Sequence, residues 1–451
     1  MFARRGVKDQ LRGKFSISSN QGVEGYSCPL WLFHSGATFN KGEEIMKKRG
    51  VYSWAIVALL VIGLAVWGCA KKEAAPIKIG GIFDITGATS GVGKDYAQAC
   101  KDAEQYINEH GGVNGRKIQL IANDYAYKIP EAVNLYKQYK DVDKVFVIQG
   151  WGTGDTNALK PHINKDQIVY ISASYDSNLN DPAKTPYNFY VGTSYSEGIR
   201  LAMQFVKESF KEMFPEAGDR APRVVFIYPD HPYGKAPIPA GKAMAEELGI
   251  EVGPDEIVGL RAIDATSQLL HMKEFDPDWA WVGGTTPSTS VVVKDVAKLG
   301  LRTKIISNVW GVDENLLKLT GDAGNERIYG MAPFAFWGED VPGMKVAMAA
   351  AAKTNPNAVY TVRYTQGWTA MMVMWEALNR ADKAGELNGP GLKKALESLR
   401  EFDTGGLTAP ITFTATDHRP NTSLRIFKMS NNQLVSVKSV SIEREDRFLG
   451  W

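Results

Sequence analysis

Cysteine and histidine are scarce in this chain, three of one and six of the other in 451 residues. The histidines are scattered: His34, His110, His162, His231, His271 and His418. None stands at zinc-ligand spacing from another histidine or from a cysteine, so no metal site is expected. Charge of one sign is lacking too. The 52 basic and 50 acidic side chains leave a net charge of +2, and a nucleic-acid partner would need a basic surface. The apolar stretch Trp54–Val66 is shorter than the ~20 residues of a membrane span. There is no low-complexity tract and no repeat of solenoid period. At 44% hydrophobic and 23% charged residues the composition is that of an ordinary globular chain.

Catalytic motifs are missing as well. Gly87-Ala-Thr-Ser-Gly91-Val-Gly93-Lys94-Asp95 has the outline of a phosphate loop. It places Ala88 where the motif needs glycine, and Asp95 where a hydroxyl would bind magnesium. Gly150-Trp-Gly152-Thr-Gly154 follows a predicted strand and opens a predicted helix. Asp155 breaks the dinucleotide spacing there. No Gly-x-Ser-x-Gly elbow occurs. Neither an enzyme nor a cofactor is expected.

What is present begins with a leader. Met46-Lys47-Lys48-Arg49 is basic, Trp54–Val66 is apolar, and Gly68 precedes Cys69. That order is an export signal, here 46–68. Val66, Gly68 and Cys69 resemble the bacterial lipobox, in which the cysteine receives a diacylglycerol. The expectation is a lipoprotein held at a membrane by Cys69, in the periplasm or at the outer cell surface, with a linker over 69–76. Residues 1–45 show no sustained periodicity and are expected to be a non-native upstream extension, with Met46 as the start. With Cys69 acylated, Cys100 has no partner for an internal disulfide. Cys100 falls with Tyr96, Ala99, Ala103 and Ile107 on one helical face, the place of a core side chain.

From Ile77 onward, apolar strand patterns alternate with amphipathic helical ones. Strands are predicted over Ile77–Phe83, Ile118–Asp124, Val145–Gln149 and Ile168–Ala173. Between them lie helices over Asp95–His110, Pro130–Lys140 and Asp155–Asn164. A second unit restarts after Thr193-Ser194, with strands Val224–Tyr228, Glu251–Val258, Trp279–Gly283 and Lys304–Ser307. Its helices are Glu197–Phe214, Ala240–Leu248, Ala265–Phe275 and Val291–Leu299. Helices Gly343–Lys353, Val362–Ala384 and Gly391–Arg400 follow, then short antiparallel strands Thr408–Thr414, Leu424–Met429 and Leu434–Val437. The rhythm predicts an α/β protein of two doubly wound parallel-sheet lobes. The first lobe takes 77–194 plus 332–410, the second 195–331 plus 411–440, and 441–451 is a tail. Three chain crossings, near Thr193-Ser194, Ala332-Pro333 and Pro410-Ile411, make a three-stranded hinge.

Three stretches carry a family resemblance: Ile77-Lys-Ile-Gly-Gly-Ile-Phe-Asp-Ile-Thr-Gly, Ile107-Asn-Glu-His-Gly-Gly-Val-Asn-Gly-Arg-Lys-Ile-Gln-Leu, and Tyr228-Pro-Asp-His-Pro-Tyr-Gly. In this order they resemble the branched-chain amino-acid-binding (leucine/isoleucine/valine-type) group of periplasmic solute-binding proteins, of type I fold. The resemblance implies a monomeric receptor that hands a small molecule to the permease and ATPase subunits of an ABC transporter. The same module docking a regulatory partner, as a ligand sensor, is the alternative. It also implies that Thr153 and Ser174 bind the ligand's carboxylate and amino groups, and that Tyr233 closes over it. Thr285 and Trp310 resemble further second-lobe contacts.

The residues support a binder independently. In parallel sheets ligands sit beyond the carboxyl ends of strands, at helix N-termini with unpaired N–H groups. Trp151-Gly152-Thr153 and Ser174-Tyr175-Asp176 lie at two such ends. The family's amino-acid binders commonly place an acid near position 310, where this chain has Asn308-Val-Trp310-Gly. Asp176 is the expected substitute, and Trp151, Tyr175 and Trp310 the expected aromatic lining. Each of these residues also has a plainer reading, as a helix cap, a turn residue or a core ring.

Overall fold

The computed structural model describes residues 74–451. The leader, Cys69 and the upstream extension lie outside the described residues. The first sheet is wholly parallel. Its strands are β1 (Ile77–Phe83), β2 (Ile118–Asp124), β3 (Val147–Gln149), β4 (Val169–Ile171) and β5 (Asn188–Phe189), in the order β2-β1-β3-β4-β5. Ile77 pairs with Ile118 and Val147 with Val169. All but one residue of β1 is buried, as expected of a strand covered on both faces. The covering helices include α1 (Ser90–Glu109), α2 (Ile129–Gln138) and α3 (Thr153–Asp166).

After α4 (Tyr195–Met213) the second sheet begins with β6 (Arg223–Tyr228), α5 (Ile238–Glu247), β7 (Glu251–Val252) and β8 (Glu256–Ile257). It continues through α6 (Thr266–Phe275), β9 (Trp279–Val282), α7 (Thr286–Lys298), β10 (Lys304–Ser307), α8 (Glu314–Thr320) and β11 (Ile328–Ala332). Helices α9 (Pro342–Thr354), α10 (Val362–Lys383) and α11 (Gly389–Leu396) follow. The hairpin β12 (Ser423–Ser430) and β13 (Gln433–Ser441) completes the sheet. Its order is β13-β12-β11-β10-β9-β6-β7, with β8 also on β6, and only the hairpin is antiparallel. The α/β class and the two-sheet architecture agree with the sequence reading.

The core forms as the periodicity requires. Tyr96, Ala99, Cys100, Ala103 and Ile107 form the buried face of α1. Burial pushes the Cys100 thiol up from its ordinary range, so it is an inert filler. Helix α10 lies along α1 and buries Trp368, Met371 and Met374, while Met372 and Trp375 are half-buried.

Several boundaries differ from the sequence reading, and four of the differences bear on the architecture. The stretch Glu251–Val258 is broken at Gly253-Pro254, where proline has no N–H to donate, into β7 and β8. Thr408–Thr414 is no continuous strand and makes only single bridges, from Thr408 to Phe334, Ile411 to Phe402 and Thr414 to Asp417; Pro410 lies inside it. The third crossing falls later than Pro410-Ile411. Phe413 and His418 pack on Phe189 of β5, at 5.2 and 4.0 Å between ring centroids. These rings keep 411–418 beside the first sheet, and the chain crosses at 420–422. There the Thr193 hydroxyl donates to Asn421 (2.8 Å). The final segment is also docked. Arg444 pairs with Asp417 and Arg447 with Glu247, and the Arg200 guanidinium packs against the rings of Phe448 and Trp451, 3.7 and 4.7 Å from their centroids.

Candidate functional site

Strands β3 and β4 of one sheet and β9 and β10 of the other end at a common cleft, and the loops after them meet there. After β3, a Cβ at Gly150 would sit 1.9 Å from the Tyr170 ring; only glycine lets the loop pass. Gly152 caps α3 under similar crowding, from Tyr125, Tyr127 and Asp155. The Trp151 indole donates to the Thr89 hydroxyl (2.9 Å), which donates to Asp84 (2.6 Å). Thr153 and Ser174 share a hydrogen bond of 2.7 Å between their hydroxyls.

Across the cleft, the Trp310 indole donates to the Tyr195 hydroxyl (2.9 Å). The Tyr233 hydroxyl donates to the carbonyl of Gly284 (2.8 Å). Trp310 meets Trp151 edge-on at 5.2 Å and stacks on Tyr175 at 5.8 Å. Tyr127 packs on His231 at 5.0 Å, and burial lowers the His231 pKa. Tyr127 and the preceding Ala126 both hold positive φ, 58° and 52°, a strained backbone for two successive non-glycine residues.

Between these rings a cavity of about 20 Å³ remains, the room of one water molecule. The rings of opposite sides are in contact, so any larger solute has to part Trp151 from Trp310. Three helix N-termini end at the cavity: Thr89 caps α1, Gly152 caps α3 and Thr285 caps α7. Each contributes partial positive charge. The Thr285 hydroxyl is buried and has no hydrogen-bond partner.

Acidic groups surround the cleft at one remove. Asp155 accepts from the Tyr125 hydroxyl (2.8 Å) and from Gly152 N–H (3.2 Å); burial pushes its pKa up to about 7. Asp313 accepts from the Thr286 hydroxyl (2.6 Å) and lies 3.4 Å from Arg363 Nε. The Arg363 guanidinium also donates to the carbonyls of Val309 (2.8 Å) and Val312 (2.7 Å), 5.0 Å from the Trp310 ring centroid. Glu314 accepts from Trp337 N–H (2.7 Å) and Val362 N–H (2.9 Å), and burial raises it to about 7.

Residues 76–433 match the family model described as periplasmic binding protein. The chain belongs to the periplasmic binding protein family. A solved ABC transporter substrate-binding protein from Aeropyrum pernix is 31% identical with a TM-score of 0.74; the match covers 83% of this chain and 99% of that one. A branched-chain amino acid ABC transporter protein from Thermus thermophilus, solved with valine bound, is 24% identical with a TM-score of 0.75, over 83% of this chain and 97% of that one. The Leu/Ile/Val-binding protein homolog 1 of Brucella abortus is 22% identical over 62% of this chain and 71% of its own.

In this periplasmic binding protein, six of the predicted site residues line the cavity: Trp151, Gly152, Thr153, Tyr233, Thr285 and Trp310. Ser174 and Tyr175 stand behind it, one bonded to Thr153 and the other stacked on Trp310. Asp176 does not reach it. Its carboxylate accepts from Asn178 N–H (3.1 Å) and the side chains of Asn178 (3.0 Å) and Asn157 (3.1 Å). It caps the short turn Ser177–Leu179 instead. Thr193 and Ser194 do lie at the first crossing, where Ser194 caps α4 through Glu197 N–H (3.0 Å).

The sequence reading missed Thr89, Tyr127, Tyr195, Asp313 and Arg363. The acid sought near position 310 exists at 313, already paired with Arg363. One signal was readable for Arg363: a cation in the first turn of a helix opposes the dipole, so another partner must hold it. Among the described residues no helix is long and apolar enough to cross a membrane.

Proposed function

We propose that this chain is the solute receptor of an ABC-type uptake transporter and holds a small carboxylate ligand between two lobes that close over it. The ligand classes in view are branched-chain or other amino acids and apolar or aromatic carboxylic acids. The observation that carries this reading is the convergence of three helix N-termini on one aromatic cavity at the strand ends of both sheets. Backbone N–H groups there match a carboxylate without needing arginine or lysine. Thr153 and Thr285 add hydroxyls from opposite sides, and Trp151 and Trp310 grip the body of the ligand. The crossings at Thr193-Ser194, at 332–333 and at 420–422 serve as the hinge. Permease and ATPase subunits are the partners, and Cys69 carries the lipid anchor.

A thermal-shift screen of the wild-type protein against small solutes tests the receptor function. A cognate solute at about 100 times its Kd raises stability by ~2.7 kcal/mol. A broad panel that leaves the melting temperature unmoved would refute the reading. Anchoring is tested by fractionation: wild type goes with membranes, and Cys69→Ala is released or stays unprocessed. Mature protein with a free Cys69 thiol would exclude the anchor.

A further inference from the structure

We propose that the solute of this cleft is a monocarboxylate without an ammonium group, carrying a branched aliphatic or aromatic body. This rests on the receptor reading above and narrows it. No charged side chain lines the cavity among the described residues; its walls are aromatic rings, hydroxyls, small side chains and backbone. Two features call for an anion. The N-termini of α1, α3 and α7 all end there, and α1 and α7 carry no acidic residue in the first turn. Independently, the Thr285 hydroxyl is 3% exposed, lines the cavity and has no partner. A buried donor of this kind is costly unless a ligand uses it.

Among the described residues, no carboxylate is free to answer an ammonium in the cleft. Asp84 accepts from Gly87 N–H and from Thr89 through both N–H (2.7 Å) and hydroxyl (2.6 Å). Asp155 is engaged by Tyr125 and Gly152, and Asp176 by Asn157 and Asn178. Asp313, the acid three residues after Trp310, is fully buried, accepts from the Thr286 hydroxyl and is paired with Arg363. An α-ammonium closed into this cavity would lose its water and gain no countercharge, which costs several kcal/mol.

The test is a calorimetric titration of the wild-type protein with matched pairs: 4-methylpentanoate against leucine, and 3-phenylpropanoate against phenylalanine. In at least one pair the acid is expected to bind about 100-fold or more tighter than its amino counterpart. Thr285→Val, which removes the cavity-facing hydroxyl, should weaken the acid about tenfold or more while the protein still melts as a folded chain. Leucine or phenylalanine binding as tightly as its acid overturns the proposal and leaves the receptor reading standing. So does binding confined to solutes that lack a carboxylate. A broad solute panel that moves no melting temperature overturns both.

Discussion

Arg363 stands in the first turn of α10 with its guanidinium fully buried. Its charge is balanced by Asp313 and two carbonyls rather than by water. Arg363→Met strands a buried carboxylate, and the loss expected is ~3–5 kcal/mol. Chemical denaturation of Arg363→Met, Asp313→Asn and the double variant measures it, and the double variant should recover part of the loss. Asp176 makes the opposite point. Asp176→Asn should cost about 1–2 kcal/mol of stability through its turn and leave solute affinity within about twofold. A tenfold loss of affinity in titration would return Asp176 to the ligand. Trp151, Thr153, Tyr233, Thr285 and Trp310 were legible because each follows a readable strand end. Tyr195 and Tyr127 were not, because their place depends on how one lobe meets the other, and local spacing carries no trace of that; Arg363 showed only as a misplaced cation, its partner Asp313 being unreadable.

Elements with strong periodicity were read within a few residues. Lys304–Ser307 and Val362–Lys383 came out nearly as patterned, since continuous apolar runs and a long amphipathic face leave little choice of register. Two strands escaped. β5 is only Asn188–Phe189, and β11 (Ile328–Ala332) has a glycine in its middle; both owe their pairing to neighbours in the sheet. The loop between β3 and α3 depends on close packing rather than on charge. Gly150→Ala forces a methyl into Tyr170, and overpacking of this kind costs ~1–3 kcal/mol. The expected outcome is a lower melting temperature together with weaker solute binding, since Trp151 and Thr153 shift with the loop. Unchanged affinity in a folded Gly150→Ala would show that the loop does not set the site.

At the scale of the molecule, three buried carboxyls among the described residues, Asp155, Glu197 and Glu314, are raised to about 7, in each case chiefly by burial. The Glu197 carboxyl has no hydrogen-bond partner, and Arg419 lies 3.7 Å away. A carboxyl with a raised folded-state pKa binds its proton more tightly in the folded chain. Its stabilising contribution is complete below its unfolded pKa, near 4, and is lost as pH rises through about 7. Melting temperature should therefore rise as pH is lowered from 8 to 5. Glu197→Gln should flatten that rise; an unaltered slope would show that Glu197 titrates in its ordinary range.

The indoles of Trp151 and Trp310 lie 5.2 Å apart, edge to face, on opposite sides of the cleft. At that separation two indoles couple their electronic transitions and share excitation energy. A solute that enters between them uncouples the pair, so occupancy is written into the protein's own near-ultraviolet circular dichroism and fluorescence. Titration with a bound solute should change the dichroic signal of the wild type in proportion to saturation. Trp310→Phe, which has no second indole to couple, should lose that change while still melting as a folded protein. The cleft thus carries an optical gauge of its own state, readable on the purified protein without any attached label.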